Sequence, residues 1–84
     1  MENYFKEIKQ KISKIAKVDD INIIDNTHLH KNHRQYQKGK LNLKIEIFSN
    51  ELKSKNRVES QRLVMKSLAE DIKYKIHALE IIFK

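Results

Sequence analysis

The chain has 84 residues, a formal net charge of +7, no cysteine, no proline and one glycine. This length allows one domain with a single hydrophobic core. The lack of cysteine excludes a disulfide framework and a thiolate metal site, so a metal held by this chain alone needs imidazole or carboxylate ligands. No apolar run approaches the roughly 20 residues needed to cross a bilayer, and we expect no membrane partner.

The basic charge is spread along the chain rather than gathered in one block. A net positive charge can attract nucleic acid. Lys, Asn and Ile are abundant together, however, and an AT-rich genome produces that combination without selection for a polyanion. The charge alone is therefore weak evidence for a nucleic-acid partner.

The N-terminus, MENYFKEIKQKI, lacks the apolar stretch of a secretory signal. We therefore expect a cytoplasmic protein, from a bacterium or from the eukaryotic cytosol. The same start is compatible with the mature form of an organellar protein, which makes the mitochondrial matrix the alternative.

The first half of the chain predicts one helix, one strand and a long loop. An apolar stripe with helical spacing predicts a helix over roughly residues 2–17, and INIID at residues 21–25 follows as a short strand. The polar stretch NTHLHKNHRQYQKGK then contains the only glycine, Gly39. A loop of this length is uncommon unless it is functional or mobile.

The second half predicts two more strands around a helix. Residues 41–48 alternate apolar and polar side chains, which is typical of a strand with one buried face, and a helical turn is expected around residues 50–55. Asn56 stands three residues before Glu59 and predicts the cap of a helix over residues 57–73. IHALEIIF at residues 76–83 closes the chain as a strand. The residues expected on the buried face of the helix are Val58, Gln61, Val64, Met65, Leu68, Ala69 and Ile72.

This order predicts a single α+β domain over residues 1–84, an α-β-β-α-β sandwich with helices on one face of the sheet. The last strand follows a helix, so its crossover makes it parallel to a neighbour. The sheet is then mixed and three-stranded, which resembles the K-homology type II fold.

Three histidines of the loop, His28, His30 and His33, are candidate metal ligands. Imidazole suits Zn, Cu, Fe and Ni. The spacing of THLHKNH fits no standard zinc motif, however, and taken alone it is better explained by a solvated loop.

The fourth histidine, His77, interrupts the predicted last strand. Strict alternation places it on the same strand face as Leu79, Ile81 and Phe83. From the residues alone, it is either a metal ligand or a structural histidine with one satisfied nitrogen.

Catalytic motifs are missing from the sequence. It has no Gly-rich phosphate loop, no cysteine nucleophile and no serine in a recognisable elbow beside a base. The neighbouring carboxylates Glu70 and Asp71 are expected on a solvated helix face rather than as an acid/base pair. We expect no enzyme activity from this chain alone.

The last third of the chain resembles a known family. NRVESQRLVMKSLAEDIKYKIHAL is similar to the signature of BolA-like proteins, a helix of the form S-L-V-x-R-H-R-L-V-x-x-x-L-A-E-E-L before a strand that begins I/V-H-A-L. His77 falls on the family's characteristic C-terminal histidine. The matching helix positions are Val58, Arg62, Leu68, Ala69 and Glu70.

The resemblance extends upstream over nearly the whole chain. IIDNTHLH resembles the family's V-x-D-E-S-x-x-H, with Asp25 and His30 at the matching positions, and LKIEIFSN resembles its F-K-V-V-L-V-S-D strand. Gln61 departs from the family, because it replaces the histidine of R-H-R. Ser54 also departs, because it stands at the usual glycine of the turn.

The resemblance implies an adaptor that pairs with a monothiol glutaredoxin and shares a 2Fe-2S cluster with it, in iron–sulfur cluster assembly and iron homeostasis. The glutaredoxin supplies its own cysteine and a glutathione thiol, and the BolA-like protein supplies the C-terminal histidine and a loop residue. In this chain the ligands are His77 and His30, with His28 and His33 as fallbacks. We expect no cofactor in the isolated chain, which we expect to be monomeric.

The resemblance also implies an alternative function, DNA-binding transcriptional regulation of the kind found in bacterial stress responses. It uses a helix-turn-helix-like region, and the candidate contacts here are Lys53, Lys55, Arg57 and Arg62. This alternative accounts for the basic charge but uses no histidine, so we favour the adaptor. A K-homology RNA-binding function ranks last because the Gly-x-x-Gly clamp is missing.

Overall fold

The computed structural model describes residues 2–27 and 40–84. The three loop histidines, and with them the predicted ligand His30, lie outside these residues. The helices of the described part are too short and too polar to traverse a lipid bilayer. The elements in chain order are α1 (Glu2–Ser13), β1 (Asp20–Asp25), β2 (Leu41–Phe48), α2 (Asn50–Ser54), α3 (Arg57–Ser67), α4 (Ala69–Tyr74) and β3 (Ile76–Phe83).

The three strands form one mixed sheet in the order β1-β2-β3. β1 and β2 pair antiparallel, with Ile21 opposite Ile47, and β2 and β3 pair parallel, with Ile45 opposite Ile81. The crossover through α3 and α4 makes the parallel pairing possible. The predicted mixed α-β-β-α-β sandwich is therefore confirmed.

The core lies between the sheet and the helices. Leu43, Ile45 and Ile47 of β2 alternate toward the helices and are buried, whereas Lys44 and Glu46 between them are only partly covered. The other buried apolar residues are Ile8, Ile12, Ile21, Leu52, Val64, Leu68, Ile76 and Ile81. Most of the sequence-predicted core is confirmed, but Leu41, Met65 and Ile72 are only half-buried.

The predicted helix over residues 57–73 is in fact two helices, interrupted at Leu68. The Asn56 cap is confirmed, because its side chain accepts hydrogen bonds from the backbone N–H groups of Val58 and Glu59. At Leu68 the backbone leaves helical geometry, with φ −108° and ψ 19°. Its N–H still bonds to carbonyls of the preceding turn, and the side chain stays fully buried.

The predicted buried face of the helix is partly wrong. Val58 is 58% exposed and Gln61 is exposed, whereas Ser60 is fully buried. The cause is a polar contact that hydrophobic periodicity does not detect: the Ser60 hydroxyl donates to the Leu52 carbonyl of α2 at 2.6 Å. This bond compensates the burial of the hydroxyl and turns Ser60 and Val64 inward.

Two smaller corrections concern helix residues. α1 ends at Ser13 rather than near residue 17. Glu70 is exposed as predicted, but Asp71 and Ala69 are not where the sequence placed them: Asp71 is buried and Ala69 is exposed. Asp71 stands seven residues after Val64 and three after Leu68, on the helix face that both bury. Its carboxylate is accepted there because Tyr4 and Lys11 of α1 donate hydrogen bonds to it.

Candidate functional site

His77 lies in a β-bulge at the beginning of β3. Leu41 pairs with Ile76 and Asn42 pairs with Ala78, so His77 is an extra residue without a partner on β2. A bulge disrupts the ladder locally and re-aims the side chains beside it. The His77 side chain is accordingly exposed.

The bulge overturns the expectation from strict alternation. Ile81 faces the core, and uninterrupted alternation would place His77 on the same side. Instead the phase changes at the bulge, so that Ile76 is buried at 2% exposure and His77 is exposed. His77 is therefore free of core packing.

Polar contacts fix the point at which the chain leaves the sheet for residues 28–39. The Thr27 hydroxyl and backbone N–H both donate to Oδ1 of Asp25. The Thr27 hydroxyl in turn accepts the backbone N–H of Asn42 at 3.0 Å, and the Asn26 N–H donates to the Asn42 carbonyl at 2.8 Å. This turn closes one end of the β1–β2 pair.

After residues 28–39 the chain re-enters the sheet at Leu41, beside His77. The Leu41 N–H donates to the Lys75 carbonyl at 2.9 Å, and the Lys40 ammonium donates to the Lys73 carbonyl at 3.4 Å. Because neighbouring strands lie about 5 Å apart, His77 is one strand spacing from the start of β2 and two from the end of β1. The bulge and both ends of the loop therefore share one end of the sheet.

His77 does not form a complete metal centre with its described neighbours. In residues 2–27 and 40–84, no three His, Asp or Glu side chains are grouped as a metal ion would require. A metal at His77 needs further ligands from residues 28–39 or from another molecule.

Three of the four candidate DNA contacts meet at the opposite end of the sheet. Lys53, Lys55 and Arg57 line a pocket of about 230 Å³ whose other walls are Leu52, Ile82 and Phe83. Arg62 does not join them, because it lines neighbouring grooves on α3. The predicted basic set is thus divided between two surfaces.

The sequence analysis did not identify the polar residues that fix the turn at the end of β1 and the helices beside the basic pocket. Asp25 and Thr27 could have been found, because an Asp two residues before a Thr at a strand end is a turn signal. Ser60 and the pocket wall at Phe83 had no such signal, since both depend on contacts between elements distant in sequence.

The comparisons with known proteins agree with this fold. A sequence model described as BolA-like protein matches residues 12–84. BolA1 from Arabidopsis thaliana is similar at a TM-score of 0.73 and 24% identity, over 94% of this chain and 87% of that one. The BolA domain of SufE1 from Arabidopsis thaliana has a TM-score of 0.72 and 23% identity, over 94% and 87% of the two chains.

A more distant solved structure shares the fold. BolA1 from Mus musculus has a TM-score of 0.69 and 17% identity, over 92% of this chain and 60% of that one. No curated protein that was compared matches the chain. At these identities the structural likeness establishes the fold alone.

Proposed function

Since the chain belongs to the BolA-like protein family, we propose that it is an adaptor that pairs with a monothiol glutaredoxin and binds a shared 2Fe-2S cluster as cargo. The observation that carries the proposal is the exposed bulge residue His77, beside both ends of the histidine-containing loop. The partner brings the thiolates, which this cysteine-free chain lacks.

His30 is the preferred second ligand because it stands at the family's matching position, five residues after Asp25. Thr27 continues β1, about 10 Å or two strand spacings from β3. The imidazole side chains of both ligands extend the reach of the backbone, so chain reach does not separate His30 from the fallbacks His28 and His33.

The positive charge near His77 favours binding of the cluster. Lys40, Lys73 and Lys75 lie next to the bulge in sequence or through backbone contacts. A cluster held by thiolates is anionic, so nearby cations favour its approach. Two imidazoles on one iron resemble the Rieske arrangement, which raises the reduction potential relative to all-thiolate clusters.

The test is a cluster-sharing experiment with ligand variants. The parent chain, His77→Ala, His30→Ala and Glu80→Ala are mixed separately with a cluster-loaded monothiol glutaredoxin, and absorption and circular dichroism are recorded in the visible range. Glu80 is the matched control, because it is exposed on the same strand. We expect the two histidine variants to give the partner's all-thiolate spectrum or to release the cluster. If His77→Ala gives the parent's spectrum, the adaptor mechanism is wrong.

The second candidate function, DNA binding, is supported by one observation: three of its four predicted contacts line one pocket. Phosphate contacts make affinity fall steeply with salt. Replacing Lys53, Lys55 and Arg57 by Ala should flatten that dependence, measured by fluorescence anisotropy on a labelled duplex. A sequence-specific complex that survives physiological salt would favour this function over the adaptor.

A further inference from the structure

The pocket at the C-terminal end of β3 combines two chemistries. Its rim is cationic, with the exposed residues Lys53, Lys55 and Arg57, and its walls are apolar, with buried Leu52 and half-buried Ile82 and Phe83. No carboxylate of the described residues lines it. A rim of this kind suits an anion, whereas the walls suit an apolar or planar body.

The backbone that carries the three cations is held in place. Ser49 caps α2 by accepting the Leu52 N–H at 3.1 Å, and its hydroxyl donates to the Lys17 carbonyl at 2.7 Å. Ser60 ties the first turns of α3 to α2 through the Leu52 carbonyl. Both hydroxyls are buried, so the backbone of the turn between the helices is fixed, and the three basic residues extend from one rim of the pocket.

The three cations are also available to a ligand. In the described part of the chain, neither of the two ion pairs involves them: Lys11 pairs with Asp71, and Lys84 pairs with Glu46. Two carboxylates are equally near in sequence. Glu51 accepts the Lys17 backbone N–H at 2.9 Å, and Glu59 lines the neighbouring groove rather than this pocket. A ligand anion therefore does not have to displace an internal partner.

We propose that this pocket binds a small phosphorylated ligand with a planar body, of the mononucleotide class. Three cations on one rim suit a phosphate group, which Arg and Lys bind through charge-assisted hydrogen bonds. The ring of such a ligand packs against Phe83 and Ile82. A pocket of about 230 Å³ accommodates a phosphoryl group and part of an attached ring.

The shape favours a single small ligand over a nucleic-acid backbone. A duplex presents a row of phosphates, and a protein that tracks it needs cations in a matching row. The neighbouring groove on α3 contains two further cations, Arg62 and Lys66, but a carboxylate and apolar side chains stand among them. These are Glu59, Val58 and Leu63, so the row of cations is interrupted. A mononucleotide and a DNA duplex both carry phosphate groups, and the experiment below distinguishes between these two ligands.

The pocket is far from the proposed cluster ligand. His77 and Phe83 lie at opposite ends of β3, and six residues of strand span about 20 Å. A nucleotide in the pocket and a cluster at His77 therefore use different residues of the chain.

The experiment is an NMR titration of the full chain, labelled with ¹⁵N, with inorganic phosphate, adenosine monophosphate and a short DNA duplex in separate series. We expect adenosine monophosphate to shift amide signals of residues 52–58 and 82–83 and to bind more tightly than phosphate, since its ring adds the apolar contact. The triple variant Lys53→Ala, Lys55→Ala, Arg57→Ala should lower the affinity by about tenfold or more.

A charge-matched control removes three other cations, Lys6, Lys9 and Lys14, which are exposed and do not line the pocket. This control should bind adenosine monophosphate with the parent's affinity. Phe83→Leu should lower the affinity for adenosine monophosphate more than the affinity for phosphate. Circular dichroism confirms that each variant is folded. The proposal fails if both triple variants lose affinity equally, or if only the duplex binds.

Discussion

Asp71 shows how one buried carboxylate joins the first helix to the last. It is 4% exposed and accepts hydrogen bonds from the Tyr4 hydroxyl and the Lys11 ammonium, each at 2.7 Å. Burial by itself raises the pKa of Asp71, but the bonds from Lys11 and Tyr4 outweigh it and hold the pKa below the ordinary value of 3.8. Burial, followed by the hydrogen bond to the Asp71 carboxylate, raises the pKa of Tyr4 well above its usual range.

We predict that Asp71→Asn lowers the free energy of unfolding by about 1–3 kcal/mol at neutral pH, because it removes a charge-assisted pair. The folded-state pKa is depressed, so the contribution of Asp71 is present above pH 3.8 and is lost as the pH falls through the folded-state value. Urea unfolding across that range should show the parent and Asp71→Asn converging in acid.

Tyr4→Phe is the matched control, because it removes one hydrogen bond and keeps the ion pair between Lys11 and Asp71. Tyr4→Phe should lower the free energy of unfolding less than Asp71→Asn does at neutral pH. A constant difference between parent and Asp71→Asn at every pH would contradict the account.

At the level of elements, the strands were more predictable from sequence than the helices. β2 and β3 have the predicted bounds. In β2, alternation over eight residues specifies both the strand and its buried face, whereas in β3 the bulge at His77 changes the face. The predicted buried face of α3 was partly wrong, because the actual face depends on the hydrogen bond from the Ser60 hydroxyl to the Leu52 carbonyl. Hydrophobic periodicity carries no information about a buried hydroxyl that finds its partner on another helix.

Substitution of Leu68 tests the packing of the helix pair. Leu68 is fully buried at the junction of α3 and α4, so Leu68→Ala should lower the free energy of unfolding by about 2–5 kcal/mol. Val58→Ala is the control, because Val58 is 58% exposed and its truncation should cost little. Chemical denaturation of both variants gives the comparison. Equal losses would contradict the observed helix faces.

At the scale of the whole molecule, two candidate sites occupy opposite ends of one sheet. His77 stands beside both ends of the loop, and Lys53, Lys55 and Arg57 line the pocket at the far end of β3. The identity of His77 as a candidate ligand could be predicted from the family resemblance. Its exposure could not, because the bulge arises from the pairing of β3 with β2, which sequence alternation does not reveal.

This separation predicts independent effects of the two sets of substitutions. His77→Ala should leave the affinity for adenosine monophosphate unchanged, because about 20 Å of strand separates the two regions. Conversely, the triple variant at Lys53, Lys55 and Arg57 should leave the visible spectrum of the shared cluster unchanged. Titration and spectroscopy on the same preparations measure both. A cross effect in either direction would show that the two ends are coupled.

The most direct test of the adaptor function is pulsed electron paramagnetic resonance of the reduced complex. The chain is labelled with ¹⁵N only in its histidines and is mixed with a cluster-loaded, unlabelled monothiol glutaredoxin. We predict hyperfine coupling from directly coordinated imidazole nitrogens in the parent complex. His77→Ala and His30→Ala should each abolish this coupling, because loss of either ligand gives the all-thiolate cluster or releases it. A reduced cluster that shows no coupling to labelled histidine would contradict the central claim.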